Sequence, residues 1–169
     1  MRDARSFDEF YRATAARTLR YAVVLVGDHA EAQDAVQEAY ARAWRRWETV
    51  SEHPAPEAWV RLVISRLATD RWRRLGGLAG ALRRSGPQPT APPPGENTVV
   101  LVAAMRGLPA NHRRALALHY LCDLSIEQIS TETGAGANTV KSWLARGRER
   151  LAAVLSETTA DAELEVRDA

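Results

Sequence analysis

The sequence contains a single cysteine, Cys122, so no disulfide can form within the chain. One thiol is also too few for most of the metal frameworks that staple small domains, and it indicates a reducing compartment. Long apolar runs are absent too, since the longest is far too short to cross a membrane. Arginines interrupt the first residues where a secretory signal would lie. These absences predict a cytoplasmic protein without membrane insertion.

Patterns that carry catalysis or hold a metal are also missing. The 4 histidines show no arrangement for nucleophilic or acid–base chemistry, and His119 and Cys122 lie three apart without companion ligands. Neither a glycine-rich phosphate loop nor a nucleophile elbow occurs. The acidic residues between Asp28 and Glu38 lack the Glu-x-x-His motifs of di-metal bundles. We expect no enzymatic activity, no metal and no cofactor.

Charge is plentiful and unevenly distributed. Charged residues make up 26% of the chain, yet the formal net charge is only +2. Arginines dominate residues 61–84, where Asp70 is the one acid, and bases dominate residues 141–150. Between residues 28 and 38 the acids Asp and Glu occur without any Lys or Arg. This segregation predicts two basic surfaces and at least one acidic surface, hence partners of both signs.

Apolar residues recur with the period of an α-helix, which predicts an all-α fold. Ser6, Asp28 and Ser125 each stand three residues before a Glu or Gln, the spacing of a capping box at a helix start. We expect helices near 6–26, 29–47 and 56–75, and in the second half near 98–107, 110–121, 125–133 and 137–156.

Residues 76–97 are rich in glycine and proline and predict a flexible linker. Its extended reach is roughly 70–80 Å. The fold class is therefore two small helical domains, residues 1–75 and residues 98–156, with a disordered acidic tail over residues 157–169. A surface loop inside one domain is the alternative, although structureless inserts of this length are uncommon in compact domains.

The stretch from Ser125 to Leu151 is typical of a helix-turn-helix, with Gly134 and Gly136 at the corner. On a helix, residues 138–151 separate into an apolar face containing Val140, Leu144 and Gly147 and a polar face opposite. Gly147 on the inner face would permit a close helix approach. The polar face offers groups that bind base edges and phosphates; it comprises Asn138, Thr139, Lys141, Ser142, Arg146 and Arg148. The alternative is an amphipathic hairpin with a solvated basic face.

The helix over residues 59–75 carries a second basic surface. Arg61, Arg66 and Arg73 alternate with Trp72, a combination suited to the backbone and bases of single-stranded nucleic acid. Trp47 and Trp59 flank a nearby loop that would add aromatic surface. The alternative for these tryptophans is burial in the domain core.

Four stretches in this order resemble a bacterial RNA polymerase sigma factor of the extracytoplasmic-function class, within the sigma-70 family. "GDHAEAQDAVQEAYARAWRRW" resembles the helix that docks on the polymerase, and "PEAWVRLVISRLATDRWRR" resembles the helix that melts and reads the −10 element. "LPANHRRALALHYLCDLSIEQIS" and "GAGANTVKSWLARGRERL" resemble the −35-binding domain and its recognition helix.

The resemblance implies roles for three residue sets. Polymerase-docking residues would be Asp28, Glu31, Gln33, Asp34, Gln37 and Glu38. Contacts to the −10 element would come from Arg61, Arg66, Asp70, Arg71, Arg73 and Arg74, with the loop from Trp47 to Pro56 holding a flipped base. Contacts to the −35 element would come from the polar face of residues 138–148.

The implied partners are core RNA polymerase (the β′ clamp helices and the β subunit), promoter DNA and an anti-sigma factor. The implied function is promoter-specific transcription initiation, including promoter melting. Two alternatives stay open at this point: a stand-alone helix-turn-helix regulator of duplex DNA, and an adaptor that joins proteins through its acidic and basic faces.

Overall fold

The structure is a computed structural model that describes the backbone of residues 3–78 and 96–167 and the side-chain burial of residues 3–76 and 99–157. Both described ranges fold as helices and turns without a strand, which confirms the all-α prediction. The helices are α1 (Ala4–Val26), α2 (His29–Arg45), α3 (Trp47–Val50), α4 (Pro56–Leu78), α5 (Glu96–Arg106), α6 (Ala110–Leu121), α7 (Ile126–Thr133) and α8 (Ala137–Arg167).

The chain divides into two compact units, Met1–Pro92 and Pro93–Ala169. In the N-terminal unit α1, α2 and α4 pack against one another, and the single turn of α3 follows α2. In the C-terminal unit α6 and α7 pack on the first part of α8, and α5 also contacts α8. The middle of the predicted linker, residues 79–95, lies outside the described residues.

The N-terminal unit is held by an apolar core that also contains a cluster of three hydroxyl groups. Tyr21 and Ile64 are fully buried, and burial of a large apolar side chain contributes about 1.5–3 kcal/mol. The Tyr40 hydroxyl lies 2.7 Å from Thr14 Oγ1 and 3.1 Å from Thr18 Oγ1. Thr14 in turn donates to the carbonyl oxygen of Phe10 at 2.7 Å. The hydroxyls therefore satisfy one another inside the α1–α2 interface.

Burial controls the ionisation of that central phenol. Removal from water raises the pKa of Tyr40 above its ordinary value, and the hydrogen bonds with Thr14 and Thr18 act in the opposite direction. The phenol therefore stays protonated and keeps its hydrogen available as a donor to Thr14. The hydroxyl cluster of Tyr40, Thr14 and Thr18 is therefore uncharged.

Helix starts follow the capping chemistry, with one correction. Ser125 and Gln128 form the predicted capping box of α7, with distances of 2.8 and 3.1 Å. The Asp28 carboxylate accepts from Glu31 N–H at 2.9 Å, which confirms the predicted start of α2. The predicted cap at Ser6 is wrong, because Asp3 caps α1 by accepting from the amides of Arg5 and Ser6.

Two helix ends differ from the predicted bounds. The helix predicted to end at 75 continues to Leu78, and α8 continues to Arg167 although its end was predicted at 156 with a disordered tail beyond. Residues 157–167 contain neither glycine nor proline and include good helix formers such as alanine, glutamate and leucine.

Candidate nucleic-acid and protein interfaces

The corner between α7 and α8 is made by one glycine in a left-handed conformation. Gly134 has φ 75°, and its N–H donates to the carbonyl oxygen of Ser130 at 2.9 Å, which ends α7. A side chain at Gly136 would meet no atom within 4 Å, and its φ is not positive. Both glycines were predicted to form the corner, but only Gly134 is required by the backbone.

Gly147 lets α8 lie directly against α6. A β-carbon built on Gly147 would come within 2.9 Å of Leu116 Cδ1 and 3.5 Å of His112 Cβ. Val140 and Leu144, which share this face, are buried. The predicted inner face and the close approach at Gly147 are both confirmed. This packing fixes which side of α8 points outward.

The outward side of α8 carries the predicted DNA-binding groups. Ser142 is half-buried at the edge of this face, whereas the remaining predicted residues are exposed: Asn138, Thr139, Lys141, Arg146 and Arg148. The face presents one amide, two hydroxyls, one ammonium and two guanidinium groups. Such a set can donate to and accept from base edges and can neutralise phosphates.

Arg148 stands apart from the rest of that face. Its Nη1 donates to the Tyr120 hydroxyl at 3.2 Å, so the guanidinium leans toward the end of α6. Tyr120 is 56% exposed and stacks edge-on against His119, with ring centroids 4.8 Å apart. Tyr120 was not predicted as part of this surface, because an exposed tyrosine at a helix end has no distinctive pattern in the sequence.

His112 lies beneath the arginines of α8. Its ring is half-buried, and within the described residues its buried Nδ1 has no hydrogen-bond partner. Burial lowers the pKa of His112 below its ordinary value, and the positive charges of Arg150 and Arg146 lower it further. The imidazole is therefore kept neutral beside a cationic surface.

In α4 the structure corrects the assignment of Arg61 as a DNA contact. Arg61 is only 5% exposed and lies 3.2 Å from Glu57 Oε1. Arg17 of α1 approaches the same carboxylate with two nitrogens, at 2.8 and 2.7 Å. Glu57 thus ties α1 to α4 and neutralises a buried guanidinium. The Glu57–Arg61 spacing of four was visible in the sequence, whereas the partner on α1 was not.

The other predicted −10 residues lie at the surface of α4. Arg66, Asp70, Arg73 and Arg74 are exposed. Arg73 Nη1 is 3.9 Å from Asp70 Oδ1, a pair in which both side chains are mostly in water. These groups remain accessible to a nucleic-acid strand. Arg71 is half-buried and pairs with Glu31 of α2.

Of the tryptophans considered as either stacking surface or core, Trp47 is buried in the core and Trp72 is half-buried, and both donate their indole N–H to groups of the same unit. Trp47 is 5% exposed and donates Nε1–H to Ser6 Oγ at 2.8 Å. Trp72 is half-buried and donates Nε1–H to the carbonyl oxygen of Leu25 at 3.0 Å. Burial of an indole together with its donor is the usual behaviour of tryptophan in a small domain. Trp47 also begins the short α3, so helical structure enters the predicted loop.

The predicted docking helix α2 presents its carboxylates to solvent on one side. Glu31, Gln33, Asp34 and Gln37 are exposed, and Asp28 and Glu38 are half-buried. A hydrogen bond from Arg42 at 2.6 Å holds the pKa of Glu38 below its ordinary value, and the charges of Arg42 and Arg45 add to that effect. Part of the acidic face is thus neutralised by its own helix.

A groove separates α2 from α4 and brings the acidic and basic sets together. Its volume is about 180 Å³, and its walls include Glu31, Asp34 and Glu38 of α2 and Arg71 and Arg74 of α4. Arg71 Nη1 lies 2.8 Å from Glu31 Oε2, so an ion pair bridges the groove. The predicted docking face and the predicted −10 face are therefore neighbours that share a contact.

Within the described residues there is no cluster of three or more histidine, cysteine or carboxylate ligands suited to a metal ion. The helices of the same part of the chain include none that is long and apolar enough to span a membrane.

Comparison with known proteins identifies both units. Residues 10–77 match the family model "Sigma-70 region 2", and residues 98–151 match "Sigma-70, region 4". The RNA polymerase sigma-E factor of Streptomyces coelicolor is 30% identical over 153 residues, which cover 89% of this chain and 86% of that protein. The ECF RNA polymerase sigma factor SigL of Mycobacterium tuberculosis is 33% identical over 141 residues, covering 79% and 80%.

The chain belongs to the sigma-70 family. Within it, this sigma factor belongs to the extracytoplasmic-function class, and it binds core RNA polymerase and directs transcription initiation at promoters. Its fold is also similar to that of the sigma factor RpoE, solved in complex with the anti-sigma factor NepR from Bartonella quintana. That likeness has a TM-score of 0.71 at 22% identity and covers 88% of this chain and 97% of that one.

Proposed function

We propose that this sigma factor divides its work among three helices: α2 docks on core RNA polymerase, α4 binds the −10 element and α8 binds the −35 element. The observation that carries the proposal is the outward face of α8. Packing at Gly147 turns its polar and basic groups toward solvent while its apolar side is buried. A recognition helix inserted into a major groove needs this arrangement.

For the −35 element, Lys141, Ser142 and Arg146 form the centre of the binding surface. Arginine and lysine pair with guanine O6 and N7, and each good bidentate pair is worth about 1–3 kcal/mol of discrimination. Asn138 and Thr139 begin the helix, where side chains reach bases and phosphates first. Arg148, drawn toward Tyr120, is suited to a phosphate at the edge of the site.

For the −10 element, Arg66, Asp70, Arg73 and Arg74 are the exposed candidates, and Arg71 joins them when it leaves Glu31. Arginines on one helix track a strand backbone through its phosphates. Capture of an unstacked base by the segment before α4 would return part of the few kcal/mol spent on unpairing. The buried Arg61 does not reach this surface; it stabilises α4 through its ion pair with Glu57.

For the polymerase, the carboxylates of α2 offer a surface complementary to a basic partner. We further propose that an anti-sigma factor regulates the protein, since RpoE from Bartonella quintana was solved with one. The protein itself catalyses no reaction, because phosphodiester chemistry belongs to the polymerase. Its place of action is the cytoplasm, where bacterial polymerase and promoter DNA meet.

Two features disfavour the alternatives left open by the sequence. A stand-alone regulator of duplex DNA has no use for a region 2 unit, yet residues 10–77 match one. An adaptor between proteins has no need of a recognition helix. A shallow salt dependence of DNA binding would favour the adaptor, because phosphate contacts impose a steep one.

Run-off transcription with purified core polymerase tests the proposal. Arg146→Ala should lower transcription from a −35-dependent promoter by about tenfold, the loss of one good base contact, and leave co-purification with core polymerase unchanged. Arg12→Ala serves as the control because it removes an exposed arginine of α1. No transcript from the wild-type protein, or equal transcription by Arg146→Ala and Arg12→Ala, would overturn the assignment.

Docking is tested separately by charge reversal. Asp34→Lys should weaken co-purification with core polymerase, whereas Asp8→Lys, an equal change on the exposed side of α1, should not. Equal retention of the two variants on core polymerase would remove α2 from the interface.

A further inference from the structure

The ion pair between Glu31 and Arg71 joins two surfaces that the proposed function assigns to different partners. Glu31 lies on the docking face of α2, and its side chain is 50% exposed. Arg71 lies on α4 within the −10 surface, and its side chain is 25% exposed. The distance between Arg71 Nη1 and Glu31 Oε2 is 2.8 Å, a charge-assisted hydrogen bond.

Arg71 is incompletely satisfied in this position. Its Nε is buried, and among the described residues it finds no hydrogen-bond acceptor. A buried donor without a partner is unfavourable. Arg71 therefore holds Glu31 through part of its guanidinium only, and a phosphate oxygen could satisfy donors that the resting contact leaves unused.

Glu31 is also the member of the pair that a docking protein can reach. It lines the open groove between α2 and α4 beside Asp34, another exposed carboxylate. A cationic side chain of the polymerase that binds this face would compete with Arg71 for the same carboxylate. Glu57 shows that one carboxylate can hold two guanidinium groups. A second cation on Glu31 would therefore weaken the hold on Arg71 by sharing the carboxylate oxygens and by repulsion between the two positive charges.

We infer that the Glu31–Arg71 ion pair is an autoinhibitory contact: it withholds Arg71 from the −10 strand in the free protein, and polymerase docking on Glu31 releases it. This inference rests on the proposed roles of α2 and α4. The coupling is reciprocal, because whatever docking contributes to strand binding, strand binding contributes to docking. A sigma factor built this way engages single-stranded DNA more weakly alone than on the polymerase.

The size of the effect is bounded by the exposure of the pair. Half-exposed ion pairs contribute little, and the measured range corresponds to changes of about two- to fivefold in an equilibrium constant. The contact therefore lowers the fraction of molecules in which Arg71 is available to DNA, but it does not abolish that fraction. Any larger effect in the assay below would have to come from elsewhere.

A double-mutant cycle in the full-length protein tests the inference without polymerase. The measurement is fluorescence anisotropy of a fluorescein-labelled single DNA strand of random sequence at low ionic strength, where phosphate contacts are strongest. The variants are Glu31→Gln, Arg71→Gln and the double mutant. Asp34→Asn, alone and with Arg71→Gln, is the matched control, because it removes the same charge from the same groove.

Glu31→Gln should tighten strand binding about two- to fivefold more than Asp34→Asn does. With Arg71→Gln in the background, Glu31→Gln and Asp34→Asn should become indistinguishable. Equal tightening in the presence of Arg71 would overturn the inference, since a general charge effect would then explain it. Weaker binding by Glu31→Gln would also overturn it, because Glu31 would then position Arg71 for DNA. So would undetectable binding by every variant.

Run-off transcription by the wild-type protein separates this outcome from failure of the proposed function. If the wild-type protein initiates transcripts with core polymerase and the cycle shows no coupling, only the autoinhibitory contact is wrong. If the wild-type protein initiates none, the proposed function is wrong whatever the cycle shows.

Discussion

Gly147 of α8 and Leu116 of α6 approach so closely that a β-carbon on residue 147 would come within 2.9 Å of Leu116 Cδ1. Leu116 is itself 3% exposed and has little room to move. The orientation of α8 on α6 therefore depends on the absence of a side chain at one position.

Replacement of Gly147 by valine should destabilise the C-terminal unit. Overpacking of a filled core costs about 1–3 kcal/mol, which exceeds the few tenths by which valine is better than glycine in a helix. Ala145→Val, on the exposed side of α8, is the control and should change stability little. Amide hydrogen exchange in α6 and α8 reports on this unit directly. Equal exchange rates in the two variants would show that the site accommodates a side chain.

Tyr40→Phe should lower the free energy of unfolding of the N-terminal unit by about 1–3 kcal/mol, because Thr14 and Thr18 lose a buried partner. Tyr11→Phe is the matched control, since Tyr11 is 44% exposed. Chemical denaturation gives both values. If the two variants unfold at the same denaturant concentration, the hydroxyl chain contributes nothing to stability.

Glu57→Gln should destabilise the same unit by roughly 3 kcal/mol, because it removes the carboxylate charge that pairs with the buried Arg61 and with Arg17 of α1. Glu9→Gln breaks an exposed pair with Arg5 and should cost well under 1 kcal/mol. Thermal unfolding of both variants distinguishes the cases. A loss in Glu57→Gln no greater than that in Glu9→Gln would mean that other groups neutralise Arg61.

The stability of the C-terminal unit should fall as the pH drops through the ordinary pKa of histidine. The folded-state pKa of His112 is lowered, so below about pH 6.5 the unfolded chain binds the proton more readily than the folded chain does. The loss should begin as the pH passes below the unfolded value and level off below the folded one. His112→Gln should remove this component. Thermal unfolding of the wild type and the variant between neutral and mildly acidic pH measures it, and parallel curves would contradict the assignment.

The sequence predicted the features that depend on neighbours along the chain. The capping box of Ser125 and the buried stripe of Val140 and Leu144 follow from spacings of three and four residues. The polar face of α8 followed from the same periodicity. Local spacing was therefore enough to locate the first part of α8 and to identify its outward side.

Features that depend on contacts between distant parts of the chain were not predicted. From the sequence, Arg61 was predicted to lie at the surface. In the structure Glu57 holds both Arg61 and Arg17 of α1, a contact between residues that are distant in the sequence. From the sequence, Trp72 could serve as a stacking surface. In the structure its indole N–H donates to the Leu25 carbonyl oxygen in the last turn of α1. Residue type and periodicity specify which face of a helix is apolar and which is polar. They do not specify which hydrogen-bonding or charged groups the neighbouring helix places against it.

The tryptophans have a practical consequence for experiments on the two units. Of the 5 in the chain, only Trp143 belongs to the C-terminal unit, and the other four precede residue 73. A Trp143→Phe protein would emit from the N-terminal unit alone, and its difference from the wild type would isolate the emission of the other unit. Tryptophan fluorescence can thus follow each half of an intact, unlabelled sigma factor as it unfolds or binds DNA.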